Sequence, residues 1–163
     1  MTDASGPTDE LRETVSVEVQ ALQSAVDAFD EAAAAVLGVN RTDLRCLELL
    51  MQQDSAGPGR LGQALGLTTG SVTTMLDRLE RIGYLTRSAD PSDRRKVAVR
   101  ITDEARQKAW ELYGPFATEG GEVLKAYSAE ELALLAGFLR GSRSLYERHL
   151  ARVRALPARD RRR

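Results

Sequence analysis

One cysteine, one histidine, one tryptophan and three phenylalanines are all that the 163 residues hold of these types, and each scarcity removes a class of protein. A lone Cys46 closes no internal disulfide, so nothing calls for an oxidising compartment. With His149 as the single histidine, no cluster of cysteines and histidines exists to hold zinc, and no metal or other cofactor is expected. The N-terminal MTDASGPTDELRE is polar and acidic rather than basic and then apolar, and no apolar run approaches the roughly 20 residues that cross a bilayer. A cytoplasmic protein with no membrane partner is the expectation. No HExxH, GxSxG, Walker or Rossmann pattern is present, and GPGRLG follows a helical segment rather than a strand, so the sequence does not read as an enzyme.

What is present is Ala, Leu and Val. With few aromatics, a core must be built from these, as helical bundles usually are. The net charge of −1 looks wrong for a nucleic-acid partner until it is divided along the chain. Residues 1–59 carry 3 basic and 11 acidic side chains, residues 60–106 carry 9 and 6, and residues 107–163 carry 11 and 7. Attraction to phosphate follows local potential, so a basic middle section permits DNA binding.

The apolar spacing gives the order of elements. Leu11, Val15, Leu22, Val26, Phe29 and Ala33 recur at helical intervals in a long first helix ending near Gly38. Asn40 or Thr42 caps a second helix with Leu44, Leu47, Leu50 and Met51 on one face, closed by DSAGPG. A short helix around Leu61 to Leu65 turns a corner at Gly66 and Leu67. Thr68 then caps a helix from about Thr69 to Ile82, with Val72, Met75, Leu76, Leu79 and Ile82 inward and Gly83 as a left-handed cap. This is a helix-turn-helix pattern.

Tyr84 to Arg87 and Lys96 to Ile101 then alternate, with Val97, Val99 and Ile101 on one face and Ala98 and Arg100 on the other. Between them SADPSDRR makes a protruding loop. Thr102, Asp103 and Glu104 open a further helix, which Gly114, Pro115, Gly120 and Gly121 bend or divide. Ser128 with Glu131 is a capping box for a last helix through Leu132, Leu135, Leu139, Leu145 and Leu150.

An α-helix fits the major groove, and a thin basic loop reaches the narrower minor groove. The inward stripe of the Thr69–Ile82 helix leaves Thr69, Gly70, Ser71, Thr73, Thr74 and Arg78 on its other faces, behind Thr68. Short hydroxyls and a glycine at a helix N-terminus allow close approach to phosphates and base edges, which makes these the groove candidates. The plainer reading is a set of solvated polar positions.

The stretch LGLTTGSVTTMLDRLERIGYLTRSADPSDRRKVAVRITDEA, about 40 residues, resembles the core signature of the MarR (multiple antibiotic resistance regulator) family. The resemblance implies a winged helix-turn-helix, mainly α with a small β-hairpin wing. It also implies N- and C-terminal helices that interlock two subunits, and a wing tip at DPSDRR. Arg94 and Arg95 are then the wing residues that contact DNA, one entering the minor groove and the other free to brace the loop through Asp93 or Asp90. Alternatively, both arginines pair only with these aspartates. Many relatives carry a basic residue where Thr74 stands and Ala where Gly62 stands, so base preference is not transferable. Gly62 is expected to loosen the short helix slightly, at up to about 1 kcal/mol relative to alanine.

The implied organisation is an N-terminal tail and dimerisation helix over residues 1–38, a DNA-binding lobe over 39–106, dimerisation helices over 107–152 and a basic flexible tail over 153–163. The first and last helices have more apolar face than a winged-helix core consumes. A homodimer would bury it and set two recognition helices against a palindromic operator on double-stranded DNA. Repression, by a dimer that blocks polymerase, is the expectation, with activation as the alternative. The resemblance also implies a pocket for a small aromatic or phenolic effector, for which Trp110, Tyr113 and Phe116 are candidates, although aromatics at helical spacing also serve as core. Cys46, among apolar neighbours, reads as core packing rather than a peroxide sensor. His149 reads as surface or interface packing. The competing function is a winged-helix module whose basic wing meets an acidic protein partner.

Overall fold

The computed structural model describes residues 6–53, 55–90, 93 and 95–156. Its elements run α1 (Pro7–Leu37), α2 (Arg41–Met51), α3 (Pro58–Leu65), α4 (Thr69–Arg81), β1 (Leu85–Ala89), β2 (Val97–Ile101), α5 (Asp103–Leu124) and α6 (Ala129–Arg154). They fall into two compact units, residues 1–114 and 115–163. The mainly helical winged helix-turn-helix architecture is the one expected.

Local chemistry sets most of the boundaries. Gly38 and Gly66 terminate α1 and α3 in the left-handed conformation at φ 67° and 68°, where a side chain would be strained. Asn40, not Thr42, caps α2. Its side chain accepts from the Asp43 amide at 2.9 Å while the Asp43 carboxylate accepts from the Asn40 amide, a reciprocal capping box. Ser128 and Glu131 form the same box at the start of α6. Thr102 opens α5 by accepting from the Ala105 amide and donates to the Gly83 carbonyl at 2.7 Å. The α5 helix is not divided: it runs unbroken past Pro115 to Leu124.

In the first unit, α2, α3 and α4 stack around Leu44, Leu47, Leu50, Leu61, Met75, Leu76 and Leu79, joined by Leu85 and Val99 from the two-stranded ribbon. Burying each such leucine contributes roughly 1.5–3 kcal/mol. Tyr84 donates to the Leu37 carbonyl at 3.0 Å, tying the end of α1 to the base of the ribbon. The strands are antiparallel with Arg87 opposite Val99 and Ala89 opposite Val97. A further bridge joins Ala56, before α3, to Val99 through two backbone hydrogen bonds of 3.0 and 2.9 Å.

Three positions depart from the expected pattern. Ile82 is exposed, because it is the residue at which α4 ends and the chain turns into Gly83 at φ 78°. Val97 is exposed, since it pairs with Ala89 at the outer end of the ribbon beyond the core, whereas Ala98 on the opposite face is buried. Gly62 has a packing role that its helix propensity does not express. A Cβ there would stand 2.8 Å from Cγ2 of Val72, so the missing side chain is what lets α3 and α4 meet closely.

In the second unit, α6 presents Leu134, Leu135, Phe138, Leu139, Leu145 and Leu150 to solvent and holds no buried residue. On α1 the same exposure holds for Leu11, Val15, Leu22 and Val26. No helix of the described residues is long and apolar enough to cross a membrane.

Candidate nucleic-acid interface

The Thr68 hydroxyl starts α4 by accepting from the Ser71 amide at 3.3 Å and lies 2.9 Å from the Ser71 hydroxyl. No acidic residue occupies the first turn, so the positive end of the helix is left uncompensated. Val72, Met75, Leu76 and Leu79 anchor the inner face in the core, fixing what the outer faces present.

Those outer faces separate the expected residues into two groups. Thr68, Gly70, Ser71, Thr74 and Arg78 line a groove of about 830 Å³ together with Asn40, Arg41 and Thr42 from the start of α2. Thr69 and Thr73 line a smaller crevice of about 110 Å³ against α3, beside Pro58, Gly59 and Gly62. Thr73 and Thr74 donate their hydroxyl hydrogens back to the Thr69 and Gly70 carbonyls, both at 3.1 Å. Their oxygens therefore remain as acceptors, suited to the amino groups of adenine or cytosine.

Arg78 is paired within the chain as well as facing the groove. Its Nε and one Nη donate to the two carboxylate oxygens of Asp43 at 2.8 and 2.6 Å. Asp43 is 0% exposed and is the one buried charged side chain among the described residues. The hydrogen bond to Asp43 raises the Arg78 pKa above its ordinary value. Sequence reasoning missed both Asp43, buried behind Arg78, and the part that Asn40, Arg41 and Thr42 take in lining this groove. The capping spacing marks Asp43 as a helix-start residue, but a pair 35 positions apart in sequence leaves no local trace.

In the ribbon loop, Asp90 and Asp93 turn the chain through backbone hydrogen bonds. The Asp93 amide donates to the Asp90 carboxylate at 3.3 Å, and the Arg95 amide donates to the Asp93 carboxylate at 3.1 Å. Lys96, not Arg95, pairs with Asp93, at 3.6 Å. The Arg95 side chain is exposed and makes no ion pair among the described residues. Arg94 lies outside the described residues. Arg87 on β1 ties the ribbon to α4 through Glu80 and Asp77.

Trp110 and Tyr113 of α5 have different surroundings. Trp110 is 64% exposed at an apolar cleft of about 500 Å³ with Met51, Asp103, Arg106 and Gln107. Its indole lies over the bare Cα of Gly114, where a Cβ would approach it to 3.0 Å. Tyr113 stands edge-on to Phe29 with ring centres 5.2 Å apart, and burial pushes its hydroxyl up to about 12. Phe116 is exposed and belongs to the second unit. Cys46 is fully buried, and burial, aided by the charge of Asp43, pushes its thiol up to about 12. His149 is exposed and accepts from Arg152 at 3.3 Å. No group of three or more potential metal ligands occurs among the described residues.

The MarR family model matches residues 39–97, from just before α2 to the first residue of β2. The chain is 33% identical over 145 residues to the uncharacterized HTH-type transcriptional regulator YcgE of Bacillus subtilis (strain 168), covering 89% of this chain and 94% of that protein. Among solved structures, YusO of Bacillus subtilis superimposes with a TM-score of 0.59 at 22% identity, covering 88% of this chain and 99% of that one. A point mutant of MepR from S. aureus, bound to an oligodeoxyribonucleotide, gives 0.55 at 19% identity over 81% of this chain and 97% of that one. With its helix-turn-helix, its ribbon and these relatives in agreement, the chain belongs to the MarR family of DNA-binding transcriptional regulators and is not an enzyme.

Proposed function

We propose that the protein is a homodimeric repressor that reads a palindromic operator with α4 in the major groove and an arginine of the ribbon loop in the minor groove. The observation that carries this reading is the face formed by Thr68, Gly70, Ser71, Thr74 and Arg78. It is polar, open, and held on a helix whose other side is locked in the core. Thr69 and Thr73, on the adjacent face, are proposed to meet the flanking phosphates. The exposed Arg95, without an ion pair among the described residues, supports a wing contact, and Arg94 beside it in sequence is proposed to share it.

The apolar faces of α1 and α6 support dimerisation. Each isolated chain leaves them in water, and a symmetric copy would remove them from it. A dimer seated on its operator occludes polymerase without needing an activation surface. A small aromatic or phenolic acid is proposed as effector at the Trp110 cleft, where the indole offers a stacking face and Arg106 a partner for a carboxylate. Tyr113, packed on Phe29, and Phe116 are not assigned to that cleft.

The test is fluorescence anisotropy on the DNA upstream of the protein's own gene, comparing wild type with Arg94→Ala/Arg95→Ala at two salt concentrations. Tight binding that weakens steeply with salt and collapses in the double variant is expected. A folded dimer that binds neither this DNA nor a pool of genomic fragments would instead favour an acidic protein partner for the wing.

A further inference from the structure

The pair between Arg78 and Asp43 has a geometry that a solvent-facing ion pair does not require. The carboxylate is 0% exposed, both of its oxygens are engaged, and it belongs at the same time to the box that starts α2. The arginine is only partly buried, with its side chain 38% exposed and part of the groove wall beside Thr74 and Ser71. Of an arginine's five N–H donors, two are engaged by Asp43, and Arg78 itself lines the groove.

A two-point fork cannot rotate about its long axis as a single contact can. It therefore fixes two things together: the orientation of Arg78's outer edge, and the roll of α4 relative to the start of α2. We infer that Asp43 is a positioning residue for sequence reading: from behind the recognition helix it holds Arg78 in one orientation, so that discrimination between operator and other DNA depends on a carboxylate that never touches DNA. This rests on the proposal that α4 reads the major groove, and it assigns Arg78 an oriented edge where the sequence placed it only among the groove candidates.

The consequence separates specific from non-specific binding. Sequence-independent affinity comes from phosphate neutralisation and tolerates a loose arginine. Discrimination needs donors at fixed places on base edges. Releasing Arg78 while removing the negative charge behind it should lower affinity for the preferred site and leave, or slightly raise, affinity for unrelated DNA. Simple destabilisation of the fold cannot give these opposite signs.

The experiment measures anisotropy of wild type, Asp43→Asn, Arg78→Lys and the double variant on two probes. One is the duplex that wild type selects from a random-sequence pool, and the other is a scramble of that duplex. The ratio of affinities is expected to fall by about tenfold in Asp43→Asn, equivalent to one base contact. Arg78→Lys, which keeps the charge but loses the fork, should lower the ratio comparably. The double variant should be no worse than either single one. If Asp43→Asn does not fold, Arg78→Lys, altered at a half-exposed position, carries the test alone. An unchanged ratio in a folded variant, with only its thermal midpoint lowered, overturns the inference and leaves a structural clamp. A wild type that selects no duplex overturns the DNA reading itself and this inference with it.

Discussion

Arg87, on the first strand of the ribbon, donates from its backbone amide and its guanidinium to one carboxylate, that of Glu80 on α4, and reaches Asp77 one turn away at 2.6 Å. The ribbon is thus coupled to the helix by a charged joint as well as by the core. Two parts proposed to meet adjacent grooves of one duplex are thereby held at a set angle.

Breaking the joint should weaken DNA binding more than it weakens the fold. In Arg87→Ala the core residues around Leu79 and Leu85 keep their packing, so circular dichroism and oligomeric state should be unchanged while operator affinity falls severalfold. Equal affinity in a folded Arg87→Ala would show that the hydrophobic base of the ribbon alone sets the angle.

The joint also predicts a pH dependence. The side-chain hydrogen bond from Arg87, ahead of its charge, holds the Glu80 carboxyl below the ordinary glutamate value of 4.5. A depressed folded-state pKa gives stabilisation that is present above the unfolded value and lost as pH falls through the folded one. The difference in thermal midpoint between wild type and Glu80→Gln should therefore shrink between about pH 6 and about pH 3. Because the pair is only half-buried, the difference should also shrink with added salt. A difference constant across this range would mean that Glu80 acts through its shape and not its charge.

Gly62 marks where the sequence was legible and where it was not. The caps at Asn40, Thr68 and Ser128 are local, each written within four residues, and so are the amphipathic stripes. Gly62 as a single letter signals only helix weakness, because its partner Val72 lies across a tertiary contact. The Ala56 bridge to Val99 is made by backbone atoms and has no side-chain signature. The groove residues on α4 could be read from the helical period, whereas the contribution of Asn40, Arg41, Thr42 and Asp43 could not. Gly62→Ala should accordingly destabilise by about 1 kcal/mol, overpacking of about 1–3 kcal/mol outweighing the helix-propensity gain of up to about 1. Denaturant unfolding of Gly62→Ala, Val72→Ala and the double variant should show a favourable coupling, with the double less damaged than the two singles predict. Strict additivity would mean that α3 shifts to accommodate the methyl group.

Cys46 should be chemically silent. With its thiol pushed up to about 12, the reactive thiolate is a negligible fraction near neutrality. A thiol reagent should therefore modify the native protein only as fast as it unfolds, and peroxide should leave DNA affinity unchanged. Rapid labelling of a folded protein, or peroxide-sensitive binding abolished by Cys46→Ala, would reverse the assignment to core packing.

The apolar face of α6 should hold the dimer without holding the chain's own fold together. No residue of that helix is buried within the chain, and Leu139 and Leu145 are both exposed, so carboxylates there enter water in the monomer and an apolar interface only in the dimer. Leu139→Glu/Leu145→Glu should thus give a monomer by light scattering, with the helical content of wild type. A palindrome then offers each monomer one half-site and no linked second contact, so affinity should fall by about a hundredfold or more. A doubly substituted protein that stays dimeric would place the interface elsewhere, with the exposed face of α1 next in line. A monomer that keeps full operator affinity would sever dimerisation from DNA reading altogether.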